Sequence, residues 1–231
     1  MSEHPVALIT GASRGLGLAL ARALAARSWR LLIDARGADA LAEARAELEP
    51  HTDVHALAGD VADESHRTRL LEEVRAIGGL DLLVNNASLL GPSPQPALAD
   101  YPLDVLERVY QVNVFAPLRL TQLALPYLAA SARGRLLNIT SDAAVEGYEG
   151  WGGYGSSKAA LEQWSHVLAA EKPSLRVYWA DPGDMKTQMQ QEAFPGEDIS
   201  DRRPPETSVP GLLRLIEDDL PSGRYRAREL A

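Results

Sequence analysis

The run from Trp151 to Lys158 sets a phenol, Tyr154, four residues before an ammonium, Lys158. Ala159, Ala160 and Leu161 follow as good helix formers. On a helix that spacing stacks both side chains on one face, one turn apart. A free phenol ionises near pH 10, too high to trade protons at neutral pH. A neighbouring ammonium favours phenolate, and bringing the pKa to near 7 takes roughly 4 kcal/mol. The pair can therefore act as general acid and base in a carbonyl/alcohol interconversion. The same spacing occurs by chance on many solvated helices, so the elements around it must decide.

Val6 to Thr10 is a short apolar run ending in Gly11, as a buried parallel strand would. Gly11, Gly15 and Gly17 then stand within seven residues, ahead of an Ala/Leu-rich helix to about Arg27. Strand, glycine turn and helix form the setting in which a pyrophosphate lies against bare backbone N–H groups. The spacing is GxxxGxG rather than the commoner GxGxxG. Further strands are predicted at 30–34, 53–58, 80–84, 134–140 and 175–180. Helices are predicted at 38–48, 63–77, 102–130 and about 152–171. The 102–130 helix carries Asn113 and Pro117 inside it; the proline removes the bond to the carbonyl of residue 113, so a bend is expected there. Regular alternation predicts an α/β fold: a doubly wound, mostly parallel Rossmann-type sheet of six to seven strands with helices on both faces, in one domain over 1–231. Residues 188–207 are polar and proline-containing and read as a substrate flap. A helix at 209–216 and an edge strand at 222–226 complete the chain.

Composition narrows the function classes. The 231 residues are 45% hydrophobic and 24% charged, enough for one globular core. A net charge of -9, with no Lys/Arg block, argues against a nucleic-acid partner. Cysteine is absent, which removes disulfides and thiolate chemistry, and no metal site is expected. The N-terminus lacks a basic n-region and a long apolar stretch, and no run of 18 apolar residues suggests a membrane span. A soluble cytoplasmic protein is expected.

Taken together, the motifs closely resemble the short-chain dehydrogenase/reductase family, in its compact single-domain branch. The resemblance runs from about residue 5 to residue 187: the Thr10–Gly17 turn, Asp60-Val61, Asn85-Asn86-Ala87, Asn113, Ser141, Tyr154 with Lys158, and Pro182-Gly183 with Thr187. It implies that Tyr154 exchanges a proton with the substrate oxygen and that Ser141 hydrogen-bonds that oxygen. Lys158 would bind the nicotinamide ribose and depress the Tyr154 pKa, and Asn113 would hold a water in a relay to solvent. For the cofactor it implies Gly11, Ser13, Arg14, Gly15, Leu16 and Gly17 at the phosphates, and Asp60-Val61 at the adenine. Asn86-Ala87 would sit beside the adenosine ribose; Pro182, Gly183, Met185 and Thr187 would lie at the nicotinamide. Ser88 departs from the pattern, which has a third glycine there. The glycine-rich final turn is missing too.

The choice of cofactor turns on charge. An NAD-selective member carries a carboxylate at the end of the second strand. Counted from Gly17 that position is Ala35, followed directly by Arg36, and Arg14 sits in the glycine turn. Two guanidiniums suit a 2′-phosphate, so NADP is expected over NAD. A register slip of one would put Asp34 there and favour NAD. The expected function is NADP(H)-dependent interconversion of a small carbonyl compound and its alcohol. The alternatives are a non-catalytic dinucleotide-binding redox sensor and an NAD-dependent alcohol dehydrogenase using the same site. Glu146, Tyr148, Trp151 and the flap are expected to shape the substrate pocket. A homodimer or homotetramer is expected through the helices at 102–130 and 152–171, whose candidates are Leu118, Leu120, Leu123, Leu125, Leu161, Trp164 and Leu168.

Overall fold

Apolar runs too short for helices, each closed by a polar or glycine turn, become the strands of a seven-stranded, all-parallel sheet. The computed structural model describes residues 4–231; the first three residues of the N-terminal reading lie outside it. In chain order the elements are β1 (Val6–Ile9), α1 (Gly15–Ala25), β2 (Arg30–Ala35), α2 (Ala38–Leu48), β3 (Val54–Ala58), α3 (Glu64–Ile77) and β4 (Leu82–Asn85). Then follow α4 (Leu103–Tyr110), α5 (Ala116–Ala130), β5 (Arg135–Ile139), α6 (Gly152–Glu171) and β6 (Arg176–Asp181). The chain ends with α7 (Gln188–Ala193), α8 (Val209–Glu217), β7 (Gly223–Arg226) and α9 (Ala227–Leu230).

The strand order is β3-β2-β1-β4-β5-β6-β7. β1 and β4 are therefore neighbours whose crossovers leave in opposite directions, and the carboxyl ends of such a pair open a crevice. Helices cover both faces, so the central strands are buried on each side and read as continuous apolar runs. One face packs Ile9, Leu31, Ile33 and Val84 with Leu20 and Leu24 of α1 and Leu212 and Leu215 of α8. The other packs Leu8, Leu83, Leu136 and Val177 with Leu70 and Val74 of α3 and Leu120 of α5. Truncating one of these leucines to alanine costs about 2–5 kcal/mol.

Three local expectations change. The helix expected over 102–130 is two helices, α4 and α5, joined by a π-turn at Gln111–Phe115. Pro117 has no N–H to give residue 113, and the wider turn absorbs that loss. The stretch 188–207 is not featureless: Thr187 caps α7 by accepting the Gln190 N–H at 3.2 Å, and Met185 bridges to Arg203. The leucines expected at an assembly face are mostly core. Leu120 and Leu161 are buried, and Leu123, Leu125, Trp164 and Leu168 pack on the same cluster. Phe115 and Val167 are the large apolar side chains that α6 and the π-turn leave exposed.

Candidate active site

The crevice is a groove of about 1150 Å³ across the carboxyl ends of the strands. Of the catalytic and cofactor-binding positions named from the sequence, all but Gly17 and Asn113 line it. Those two lie just behind its wall, and each has a supporting contact there.

Gly11 and Gly15 adopt left-handed backbone angles, φ 67° and 56°. Gly17 is required for a different reason: a Cβ there would stand 2.5 Å from the Gly11 carbonyl and 2.6 Å from Asn86 Nδ2. Asn86 Nδ2 donates to the carbonyls of Thr10 (2.8 Å) and Gly11 (3.1 Å), while Thr10 Oγ1 accepts from the N–H groups of Asn86 and Ala87, both at 3.0 Å. The Asn86 amide thus clamps the first turn to the fourth strand and spends its donors on backbone. Asp60 accepts from Ala62 N–H at 2.9 Å and pairs with Arg108. Burial pushes its carboxyl up, but these partners outweigh it and hold it below the usual value.

At the end of β2 the register becomes visible. Asp34 is buried; Oδ1 accepts the Gly11 N–H at 3.4 Å, and Oδ2 lies 2.5 Å from His66 Nε2. Burial raises its pKa, against the pull of His66. Asp34, Ala35 and Arg36 all border the groove, but both Asp34 oxygens already have partners within the protein. Arg14 reaches across the groove mouth and donates to Gln188 of α7.

At the other end, α6 carries Tyr154 and Lys158 on consecutive turns. Gly155 lets the helix press against the turn after β5, since a Cβ there would stand 2.5 Å from the Ala143 carbonyl. Ser141 accepts the Ala143 N–H at 3.2 Å and donates to Asp142 Oδ1 at 2.9 Å. Lys158 Nζ, fully buried, donates to the Ile139 carbonyl at 2.8 Å and sits 5.5 Å from the Tyr154 ring centre. Burial lowers its pKa to about 8, opposed by Glu162. Tyr154 moves the other way: burial pushes the phenol well up, a Ser88 hydrogen bond pulls it down, and Asp181 and Asp142 add to the rise. The phenol therefore rests neutral and proton-bearing.

Asn113 is saturated. Oδ1 accepts from Leu89 N–H (2.8 Å) and Ser88 Oγ (3.2 Å); Nδ2 donates to the Leu89 carbonyl (2.9 Å) and Ser157 Oγ (3.0 Å). All four of its bonds tie the π-turn to the strand-four loop and α6. Trp151 lies edge-on to Tyr154 at 5.7 Å and 6.0 Å from Phe194, making an apolar wall beside Tyr154; Tyr148 lines the groove too, and Glu146 does not. Sequence reading missed Asp142, His66 and Arg224. Arg224 Nε donates to Glu162 Oε1 and Oε2 at 3.0 and 3.3 Å, and Nη2 to the Ser141 carbonyl at 3.2 Å. Glu162 was legible in principle, since it stands four residues past Lys158 on the same helix face. Arg224 was not, because only the sheet order brings β7 there.

Comparison with known proteins gives the chain's family. The family model for short chain dehydrogenase matches residues 5–198. Benzil reductase ((S)-benzoin forming) of Saccharomyces cerevisiae is 35% identical over 195 residues, covering 81% of this chain and 74% of that one. Sepiapterin reductase of Mus musculus is 36% identical over 201 residues, covering 81% and 77%. A short chain dehydrogenase of Shigella flexneri 2a, solved in complex with NADP, superposes with a TM-score of 0.89 at 29% identity over 97% of both chains.

Proposed function

The chain belongs to the short-chain dehydrogenase family, and on that premise we propose that it is an NADP(H)-dependent reductase of small carbonyl compounds in which Tyr154 delivers the proton. The observation that carries this reading is one groove with a glycine cradle and guanidiniums at one end and Ser141, Tyr154 and Lys158 at the other. A dinucleotide fits the cradle: Gly11, Ser13, Arg14, Gly15 and Leu16 line the groove where β1 turns into α1, and the left-handed angles of Gly11 and Gly15 present that turn's backbone to it. The NADP in the Shigella flexneri relative supports the choice of cofactor, as does the internal commitment of Asp34, which leaves Arg36 to meet a 2′-phosphate.

Bound NADPH would supply a hydride to the substrate carbonyl carbon. The chain's own residues handle the oxygen. Tyr154, neutral because it is buried, gives its proton to the forming alkoxide. Ser141 turns its hydroxyl from Asp142 to the same oxygen and stabilises the developing charge. Lys158, eased toward neutrality, passes a proton more readily than an exposed lysine would, and restores the phenol. The Asn113 side chain has no free bond for a relay water, so its role is to lock the π-turn; a relay water would meet backbone there. The 188–207 segment covers the substrate end through α7, whose Gln188 holds Arg14. We also propose a homo-oligomer, with Phe115 and Val167 in the contact; light scattering at micromolar concentration checks it, and a monomer mass removes it. Among the described residues no helix is long and apolar enough to cross a membrane.

The test is a panel of aryl and alkyl ketones and aldehydes followed by NADPH absorbance. Wild type should turn over at least one class, and Tyr154→Phe should lose about 10²–10⁴-fold in turnover with NADPH affinity kept. Full activity in Tyr154→Phe removes the assignment.

A further inference from the structure

Arg224 lies on the last strand, beyond the segment matched by the family model, yet its guanidinium reaches the back of the catalytic wall. β7 pairs parallel with β6, setting Arg224 opposite Trp179. From there Nε spans both oxygens of Glu162, Nη2 donates to the Ser141 carbonyl at 3.2 Å, and Nη2 stands 3.6 Å from Asp181 Oδ2. Glu162 in turn accepts from Thr140 Oγ1 at 2.7 Å, and Asp181 accepts the Gly183 N–H at 2.8 Å. The side chains are largely removed from solvent, at 23%, 12% and 7% exposure for Arg224, Glu162 and Asp181. One cation therefore ties together the end of β5, the end of β6 and the third turn of the α6 face that bears Tyr154 and Lys158.

We propose that Arg224 is a positioning residue: it holds the backbone of Ser141 against α6 and compensates Glu162, one turn beyond Lys158, and Asp181 at the end of β6. The role rests on the catalytic reading given for Ser141, Tyr154 and Lys158. Two carboxylates this little exposed, both within reach of one guanidinium, need that cation, since leaving one unpaired in a low-dielectric setting is strongly unfavourable. The planar fork is what allows a single side chain to serve a carboxylate and a carbonyl at once; an ammonium of similar reach is a point charge without that shape. Without it, the Ser141 carbonyl keeps only the local Ala144 N–H at 3.2 Å and loses its tie to the sheet, so its hydroxyl no longer meets the substrate oxygen at a set distance.

Arg224→Ala and Arg224→Lys test this, with Glu162→Gln/Arg224→Ala as the charge-compensated partner. Hydrogen exchange followed by mass spectrometry should rise over residues 139–144 in both single variants and stay unchanged over 6–33. That readout needs no turnover, so it stands even if the reductase assignment falls. In the ketone assay kcat should drop between tenfold and a hundredfold, as a displacement of catalytic groups on the order of 1 Å would produce. NADPH affinity measured by fluorescence titration should change less than about twofold. Low millimolar guanidinium should restore part of the Arg224→Ala rate where equal sodium chloride does not. Arg224→Lys carries the same expectation should Arg224→Ala fail to fold. Unchanged exchange over 139–144, or wild-type kcat in either single variant, overturns the proposal. A parallel Tyr154→Phe that keeps full activity overturns the catalytic reading instead.

Discussion

The two ends of the groove are built on different terms. At the glycine-turn end the polar side chains are spent on the protein itself: Asn86 and Thr10 bind backbone, and Asp34 binds His66 and Gly11. What faces the groove is backbone with the Arg14 and Arg36 guanidiniums, held in shape by Gly11 and Gly17, where a Cβ would meet neighbouring backbone at 2.9 and 2.5 Å. At the Tyr154 end the buried polar groups have partners they can exchange. Ser141 rests on Asp142, Lys158 on the Ile139 carbonyl, and Ser88 on Asn113. A rigid shape suffices to hold a ligand, whereas moving a proton requires hydrogen bonds that can switch within a fixed frame.

Lys158 sits where the comparison is easiest to break, because it is asked to serve both ends. Lys158→Ala should weaken NADPH binding and reduce turnover by about 10²–10⁴-fold, the largest effect expected at this site after loss of Tyr154 itself. A variant with normal cofactor affinity would confine the lysine to proton transfer. Its buried ammonium also has a stability signature. The folded pKa is lowered from 10.5 to about 8, so between those values the unfolded chain binds more protons than the folded one. Stability should therefore rise with pH across that window, by about 3 kcal/mol at full extent. Urea melts of wild type against Lys158→Met isolate the effect, because the raised Tyr154 is common to both; a difference that stays flat from pH 8 to 10 contradicts it.

The next effect is smaller and belongs to the adenosine end. If Arg36 grips a 2′-phosphate, Arg36→Ala should weaken NADPH by about ten- to a hundredfold and leave NADH almost untouched. Arg14→Ala should cost less, since Arg14 must first leave Gln188. Aspartate at Ala35 should reverse the preference by repelling the phosphate. Titration of both cofactors decides the point. Tighter NADH binding to wild type would mean that Asp34 leaves His66 to meet the ribose.

What could be read in advance follows the same division. The strands, the glycine turn and the Tyr154–Lys158 face depend on local pattern, and their positions were readable to within a residue or two. The count from Gly17 lands on Ala35, the last residue of β2. The break at Gln111–Phe115 was only half visible: Pro117 announces a disturbance, but the five-residue turn depends on Asn113 reaching the Leu89 backbone in the loop after β4. Leu120 and Leu161 could not be assigned to core or surface from periodicity, because the helices are apolar over a wide arc. Asp34–His66 and Arg224–Glu162 join residues 32 and 62 apart, and such pairs become visible only with the sheet order.

Ser88 sharpens the comparison most finely, at a place where this chain departs from the family's glycine. Its hydroxyl has a single proton and two acceptors in reach, the Asn113 Oδ1 at 3.2 Å and the Tyr154 oxygen. With Tyr154 neutral, the phenol can donate to Ser88 while Ser88 donates to Asn113. With Tyr154 ionised, the Ser88 proton must turn to the phenolate and give up Asn113. The switch favours phenolate by one hydrogen bond less the one surrendered, so its net worth is small. Ser88→Ala should therefore raise the Tyr154 pKa slightly and slow alcohol oxidation, which needs the phenolate, by about two- to tenfold. Ketone reduction, which starts from the neutral phenol, should change less. The rise of oxidation rate with pH should move upward by less than about one unit. Equal slowing in both directions, with the pH profile unmoved, would make Ser88 a packing residue and return the tuning of Tyr154 to burial alone.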